Sequence, residues 1–127
     1  MISFYLNLNA FLYFLFSIWC FIKFSGTSRF LGYDFLNNSG RIEYLTIYGG
    51  LQMGFAIFLG ISGYFQSLRL SGLLFCVAIY ICIIITRTAS ALYYGNLTKA
   101  TYLVGALEYC LAIWGSILLF NHLKPIN

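Results

Sequence analysis

Apolar residues run along this chain in four long blocks, separated by short clusters of Gly, Ser, Asn and charge. The blocks cover about 4–24, 42–63, 70–94 and 100–120. Each holds roughly 20 residues or more. At about 1.5 Å of rise per residue, that length crosses the ~30 Å hydrocarbon core of a bilayer. The pattern predicts four membrane-spanning helices. The separators are SGTSRFLGYDFLNNSG (25–40), YFQSLR (64–69) and GNLTK (95–99). Short connections make consecutive helices antiparallel neighbours. The expected fold is all-α, an integral membrane four-helix bundle running up-down-up-down, in one domain over residues 1–127. No linker, low-complexity tract or internal repeat divides it.

The first separator is too apolar for a solvated loop. It holds Phe30, Leu31, Tyr33, Phe35 and Leu36. A short interfacial segment on the membrane surface, with aromatics at headgroup level, accounts for them; the alternative is a lid over the bundle mouth. The first block has no basic residue before it and no A-x-A site after it, so it is expected to be a retained helix, not a cleaved leader.

Composition supports the membrane reading. The chain is 61% hydrophobic and 8% charged, whereas soluble domains are about 25% charged. The net charge of +4 is small and scattered, without the basic stripe that nucleic acid needs, so nucleic acid is not an expected partner. Membrane lipid is the expected one. Cys20, Cys76, Cys82 and Cys110 lie in apolar blocks without a C-x-x-C pair, and there is a single His. No metal site, redox motif or cofactor is expected; four buried, reduced thiols are.

The charges that remain carry the interest. Arg87 lies seven residues before Tyr94, and Glu108 eight after Ala100. Both therefore sit about 10–12 Å below the same surface. That surface, called side B, lies opposite the N-terminal side A. A charge in hydrocarbon is costly and should face inward and pair, so Arg87 is expected to meet Glu108. Tyr80, Arg87 and Ser90 share a polar face of the third span. Gly105, Ala112 and Gly115 form a small-residue stripe on the fourth, which permits close helix approach. On the second span Arg41, Tyr48 and Gln52 align at 100° per residue, and Glu43, Gly50 and Gly54 fall opposite them. Gly50 and Gly54 make a G-x-x-x-G. All four charges, Arg41, Glu43, Arg87 and Glu108, lie toward side B. Side B also holds Lys23, Arg29 and Lys99, against Arg69 and Lys124 on side A, so the positive-inside rule places B in the cytoplasm.

At RIEYLTIYGGLQMG (41–54), Arg87, Thr88, Ser90, Gly95 and the late Glu108, the chain resembles a bacterial family of small four-span inner-membrane proteins of unknown function, distantly DoxX-like. The resemblance covers nearly the whole chain. It implies a multi-pass protein of the bacterial inner (cytoplasmic) membrane and supplies no activity.

Three functions compete. The first is a pocket for a small amphipathic or lipid-like ligand, lined by Arg41, Glu43, Tyr48, Gln52, Tyr80, Arg87, Ser90 and Glu108. The second is an accessory subunit or assembly factor of a larger membrane complex. The third is a lipid- or isoprenoid-modifying enzyme. It ranks last, because an adjacent Arg makes a carboxyl a poor general acid. Against all three stands a neutral charge cluster that only pins helix register.

Overall fold

A computed structural model describes residues 1–124 of the chain. It holds four long helices, each long and apolar enough to cross a membrane. Helix α1 is Ile2–Ile22, α3 is Asn38–Tyr64, α4 is Arg69–Tyr94 and α5 is Lys99–Leu123. A short helix α2, Phe24–Phe30, follows α1. The molecule is a multi-pass membrane helical bundle, as the four apolar blocks require. Each span is bounded by local chemistry. Asn37 caps α3 by accepting the Gly40 N–H, and Thr98 caps α5 by accepting the Thr101 N–H. Gly95 ends α4 at φ +63°, a conformation glycine adopts without Cβ strain.

The helices are held in register by a few polar bonds within an apolar core. At side A, Ser3 Oγ donates to Gly63 O (2.7 Å), tying the start of α1 to the end of α3. At the other end of the same pair, Ser17 Oγ donates to Gly49 O (2.7 Å). Tyr5 crosses from α1 to α5, where its hydroxyl donates to Leu111 O (2.9 Å) and its ring meets Trp114 edge-on. Tyr80 on α4 donates to Asn9 Oδ1 on α1 (2.6 Å). Asn9 is fully buried, and its Nδ2 donates to Tyr5 O. In a lipid solvent such pairs satisfy groups that no water can reach. Around them pack Leu6, Leu59, Leu73, Val77, Leu111 and Leu118. The small residues of α5 act as expected: Gly105, Ala112 and Gly115 are all buried. A Cβ on Gly115 would collide with the Tyr5 ring.

Helix α3 departs from the expected geometry. Residues Leu45–Leu51 form a π-helical segment. Its wider i→i+5 turn takes up more residues than an α turn, so helical phase is not conserved across it. The glycine that packs is consequently Gly49, whose missing Cβ leaves room for the Phe21 ring. Gly50 and Gly54, expected to form a packing face, have nothing within 4 Å of a Cβ built there. They face outward. Likewise only Cys20 and Cys76 are buried, while Cys82 and Cys110 reach the outer surface of the bundle. All four are free thiols.

The first connection also differs in detail. Its helix is Phe24–Phe30, and the chain beyond Leu31 turns back without helical structure until Asn38. Phe30 packs on Trp19, while Tyr33 and Phe35 pack on Tyr44. The segment thus covers the side-B end of the α1–α3 pair, with Thr27 and Ser28 buried beneath it.

Candidate functional site

Arg87 and Glu108 meet as expected. Arg87 Nε donates to Glu108 Oε2 at 2.5 Å and Nη2 to Oε1 at 2.7 Å, a bidentate fork. This is the one ion pair among the described residues. Local sequence explains the fit. Gly105, one turn before Glu108, lets the Arg87 stem lie flat on α5, with Cδ 3.2 Å from where a Cβ would stand. Next to the pair, the Thr88 and Tyr109 hydroxyls hydrogen-bond to each other and brace the same two helices. The pair is only partly covered: 30% of the Arg87 side chain and 15% of Glu108 are accessible.

That exposure is shared by the side-B half of α4. On α4, Leu73, Cys76 and Tyr80 are buried along the inner stripe. The stripe continues at three- and four-residue steps through Ile83, Arg87, Ser90 and Tyr94. There it loses its cover: Ile83 and Arg87 are half-buried, Ser90 is exposed and Tyr94 is 77% exposed. On α1, by contrast, Ser17 and Cys20 stay fully buried against α3 as far as side B, while Phe16 is half-buried and Trp19 39% exposed. Tyr80–Asn9 is the hydrogen bond between the two halves that lies nearest side B among the described residues. Beyond it, Leu45–Leu51 of α3 packs on α1, and α4 packs chiefly on α5. The helices thus pack chiefly as an α1–α3 pair and an α4–α5 pair, and the uncovered surface at side B belongs to the second. An open groove of about 520 Å³ follows the uncovered part of α4. Cys82, Ile83, Thr86, Arg87, Ser90 and Thr101 are among the residues that line it. Arg87 has five N–H donors and spends two on Glu108, so three remain for whatever enters the groove.

The other expected site residues divide. Ser90 lines the groove beside Arg87. The Tyr48 hydroxyl is hydrogen-bonded to that of Tyr33 at 2.6 Å. Gln52 is half-buried and makes no side-chain bond among the described residues. Tyr80 is buried in the core and committed to Asn9, so it does not line the groove. Arg41 and Glu43 share the end but not the cluster. Both are exposed on the first helical stretch of α3, and Arg41 lies over the Phe24 ring at 5.9 Å. The π segment between them and the deeper residues breaks the common face that a uniform 100° step implies. Sequence reasoning missed Thr88 with Tyr109, and it missed the Tyr33–Tyr44–Tyr48 stack. The only available signal was the density of aromatics, which does not say where they meet. No metal-ligand cluster occurs among the described residues.

No family model, no curated protein and no solved structure matches the chain. The family resemblance therefore rests on its quoted motifs alone, and functional inference rests on the site.

Proposed function

We propose that this chain binds a small amphipathic or lipid-like molecule in the side-B groove along α4 and the start of α5. In this reading it is a multi-pass protein of the bacterial cytoplasmic membrane. The anionic or carbonyl group of the ligand meets the free N–H donors of Arg87, Glu108 holds the guanidinium in place, and the apolar part lies along Ile83, Ala91 and Leu97. One observation supports this above the others. The inner stripe of α4 is uncovered at the point where it carries a guanidinium with unused donors, at a depth where charge is expensive. A residue serving only to pin register would be expected beneath full cover.

The test is co-purification in mild detergent followed by mass spectrometry of retained small molecules. Arg87→Gln with Glu108→Gln removes both charges while keeping polar groups of similar size. A defined species held by the parent and lost from this folded double variant supports the reading. An identical lipid profile in both rejects it. Assembly into a larger membrane complex is the second reading, favoured by the outward Gly50 and Gly54 of α3. A stoichiometric protein partner, lost on Gly54→Leu, is its expected result.

A further inference from the structure

A second site lies outside the opening, under the first connection. Five of the ten charged residues of the chain fall between Lys23 and Glu43. Arg29 and Arg41 from this stretch line one groove of about 220 Å³. They come from different elements, α2 and the start of α3, and are brought together because the connection folds back on Tyr44. Neither arginine has a carboxylate within ion-pair distance among the described residues. Arg29 Nε donates to Ser25 O at 3.0 Å, which fixes the head and leaves its Nη groups free. Arg41 is held over the Phe24 ring. Asp34, in the same groove, turns its carboxylate onto its own backbone, where Oδ1 accepts the Phe35 N–H at 3.0 Å. Ser25 and Ser28 also line the groove, with Phe24, Tyr33 and Phe35.

We infer that this groove binds a phosphate oxyanion, specifically the phosphodiester of an anionic phospholipid in the side-B leaflet. Two guanidinium groups in one concavity suit phosphate oxygens. The net single positive charge of the groove matches one phosphodiester. Its location favours lipid over a soluble phosphate. The groove lies between the ends of two spans, at headgroup level, and its segment carries Leu36 fully exposed beside Phe35 and Tyr33. An apolar residue presented there is solvated by acyl chains, not by water. The inference does not depend on the opening at Arg87.

The test uses the full chain in nanodiscs of phosphatidylcholine doped with fluorescent phosphatidylglycerol, reading lipid enrichment around the protein. A guanidinium that donates a charge-assisted hydrogen bond to a phosphate oxygen among headgroup waters is worth about fivefold or more in partition. Arg29→Gln and Arg41→Gln should each lower enrichment about fivefold, and both together about 25-fold, with the helical circular dichroism signal and melting point retained. In about 0.15 M salt or more, where diffuse attraction is screened, Lys99→Gln, on the same side but outside the groove, should change enrichment by less than about twofold. An equal loss on Lys99→Gln would show diffuse attraction and overturn the site. Absence of enrichment in the parent would also overturn it. Inorganic phosphate or glycerol phosphate bound in pure phosphatidylcholine discs, with the same arginine dependence and no preference for phosphatidylglycerol, would assign the groove to a soluble anion and overturn the lipid.

Discussion

Glu108→Leu should damage this protein more than Arg87→Leu, although the two side chains share one interaction. The asymmetry comes from what each change leaves behind. A guanidinium cannot shed its proton, so a lone Arg87 stays charged in an apolar setting. A lone carboxyl can take up a proton and become a neutral donor and acceptor, which is how buried charges escape their desolvation cost. Breaking a well-buried pair costs about 3–5 kcal/mol. Here 30% of Arg87 remains accessible, so the lower end applies: about 3 kcal/mol for Glu108→Leu. Arg87→Leu should cost about 2 kcal/mol, since the surviving acid can neutralise. The double leucine variant removes both charges and should also cost about 2 kcal/mol, for the lost fork and the imperfect fit of two leucines over Gly105. The coupling is then about 3 kcal/mol, the difference between the double variant and the sum of the singles. Unfolding titrated with a denaturing detergent in a mild-detergent background reads all four proteins on one scale. Additive losses, near 5 kcal/mol in the double variant, would refute the energetic importance of the pair. Equal losses for the two singles would refute the protonation argument alone.

The remaining expectations concern packing and access. Tyr80→Phe should leave buried Asn9 Oδ1 without its donor and cost about 1–3 kcal/mol in the same titration; no loss would mean that the α1–α4 register does not depend on this bond. Gly115→Ala should cost about 1–3 kcal/mol, because its Cβ enters the Tyr5 ring, while Gly54→Ala should be neutral or stabilising in the isolated protein; the opposite order would refute the assigned faces. Cys20 and Cys76 should resist maleimides of every kind, and Cys110 should react only with membrane-permeant ones. Cys82 lines the groove, so its labelling by an impermeant maleimide from side B distinguishes a water-filled opening from one filled by lipid.

The Arg87–Glu108 contact was legible because it needs only depth and adjacency. Depth follows from counting residues at a constant rise along helices without interruption, and adjacency from a short connection. The stripe of Gly105, Ala112 and Gly115 was legible for the same reason, since α5 is α-helical throughout. The face carrying Arg41, Tyr48 and Gln52 was not, because it spans Leu45–Leu51, where the turn widens. A π segment has no reliable sequence signature, and the two adjacent glycines hide its effect. Read at a uniform 100° step, Gly50 belongs to the packing face; in the structure its neighbour Gly49 takes that place, against Phe21. The cysteines failed differently. An apolar block says that a residue is out of water, but within a bilayer both the core and the lipid-facing surface satisfy that condition. Hydropathy therefore could not separate Cys76 from Cys82.

The same limit explains why the opening at side B could not be read from composition. Spans α1 and α4 carry inner stripes that continue to side B, and nothing in their apolar pattern marks where that of α4 loses its cover. What uncovers it is the unequal distribution of close contacts. At side A, Gly63, Gly72 and Gly115 admit neighbouring side chains where a Cβ would collide, so the helices approach one another there. Toward side B the equivalent small residues serve separate pairs: Gly49 admits Phe21 within the α1–α3 pair, and Gly105 admits Arg87 within the α4–α5 pair. No glycine joins one pair to the other at that level among the described residues. Large side chains fill this level instead: Phe16 packs on Tyr48 and Trp19 within the first pair, and Tyr94 stands 77% exposed on the second. The opening is thus a consequence of where glycine is placed and where it is withheld. Arg87→Gly or Gly105→Ala would disturb one wall, whereas Tyr48→Gly with Phe16→Ala should let the pairs close. Double electron–electron resonance between labels at the exposed Ile22 and Tyr93 would report that closure as a shortened distance. An unchanged distance would show that the opening is set by the connections and not by the side chains within it.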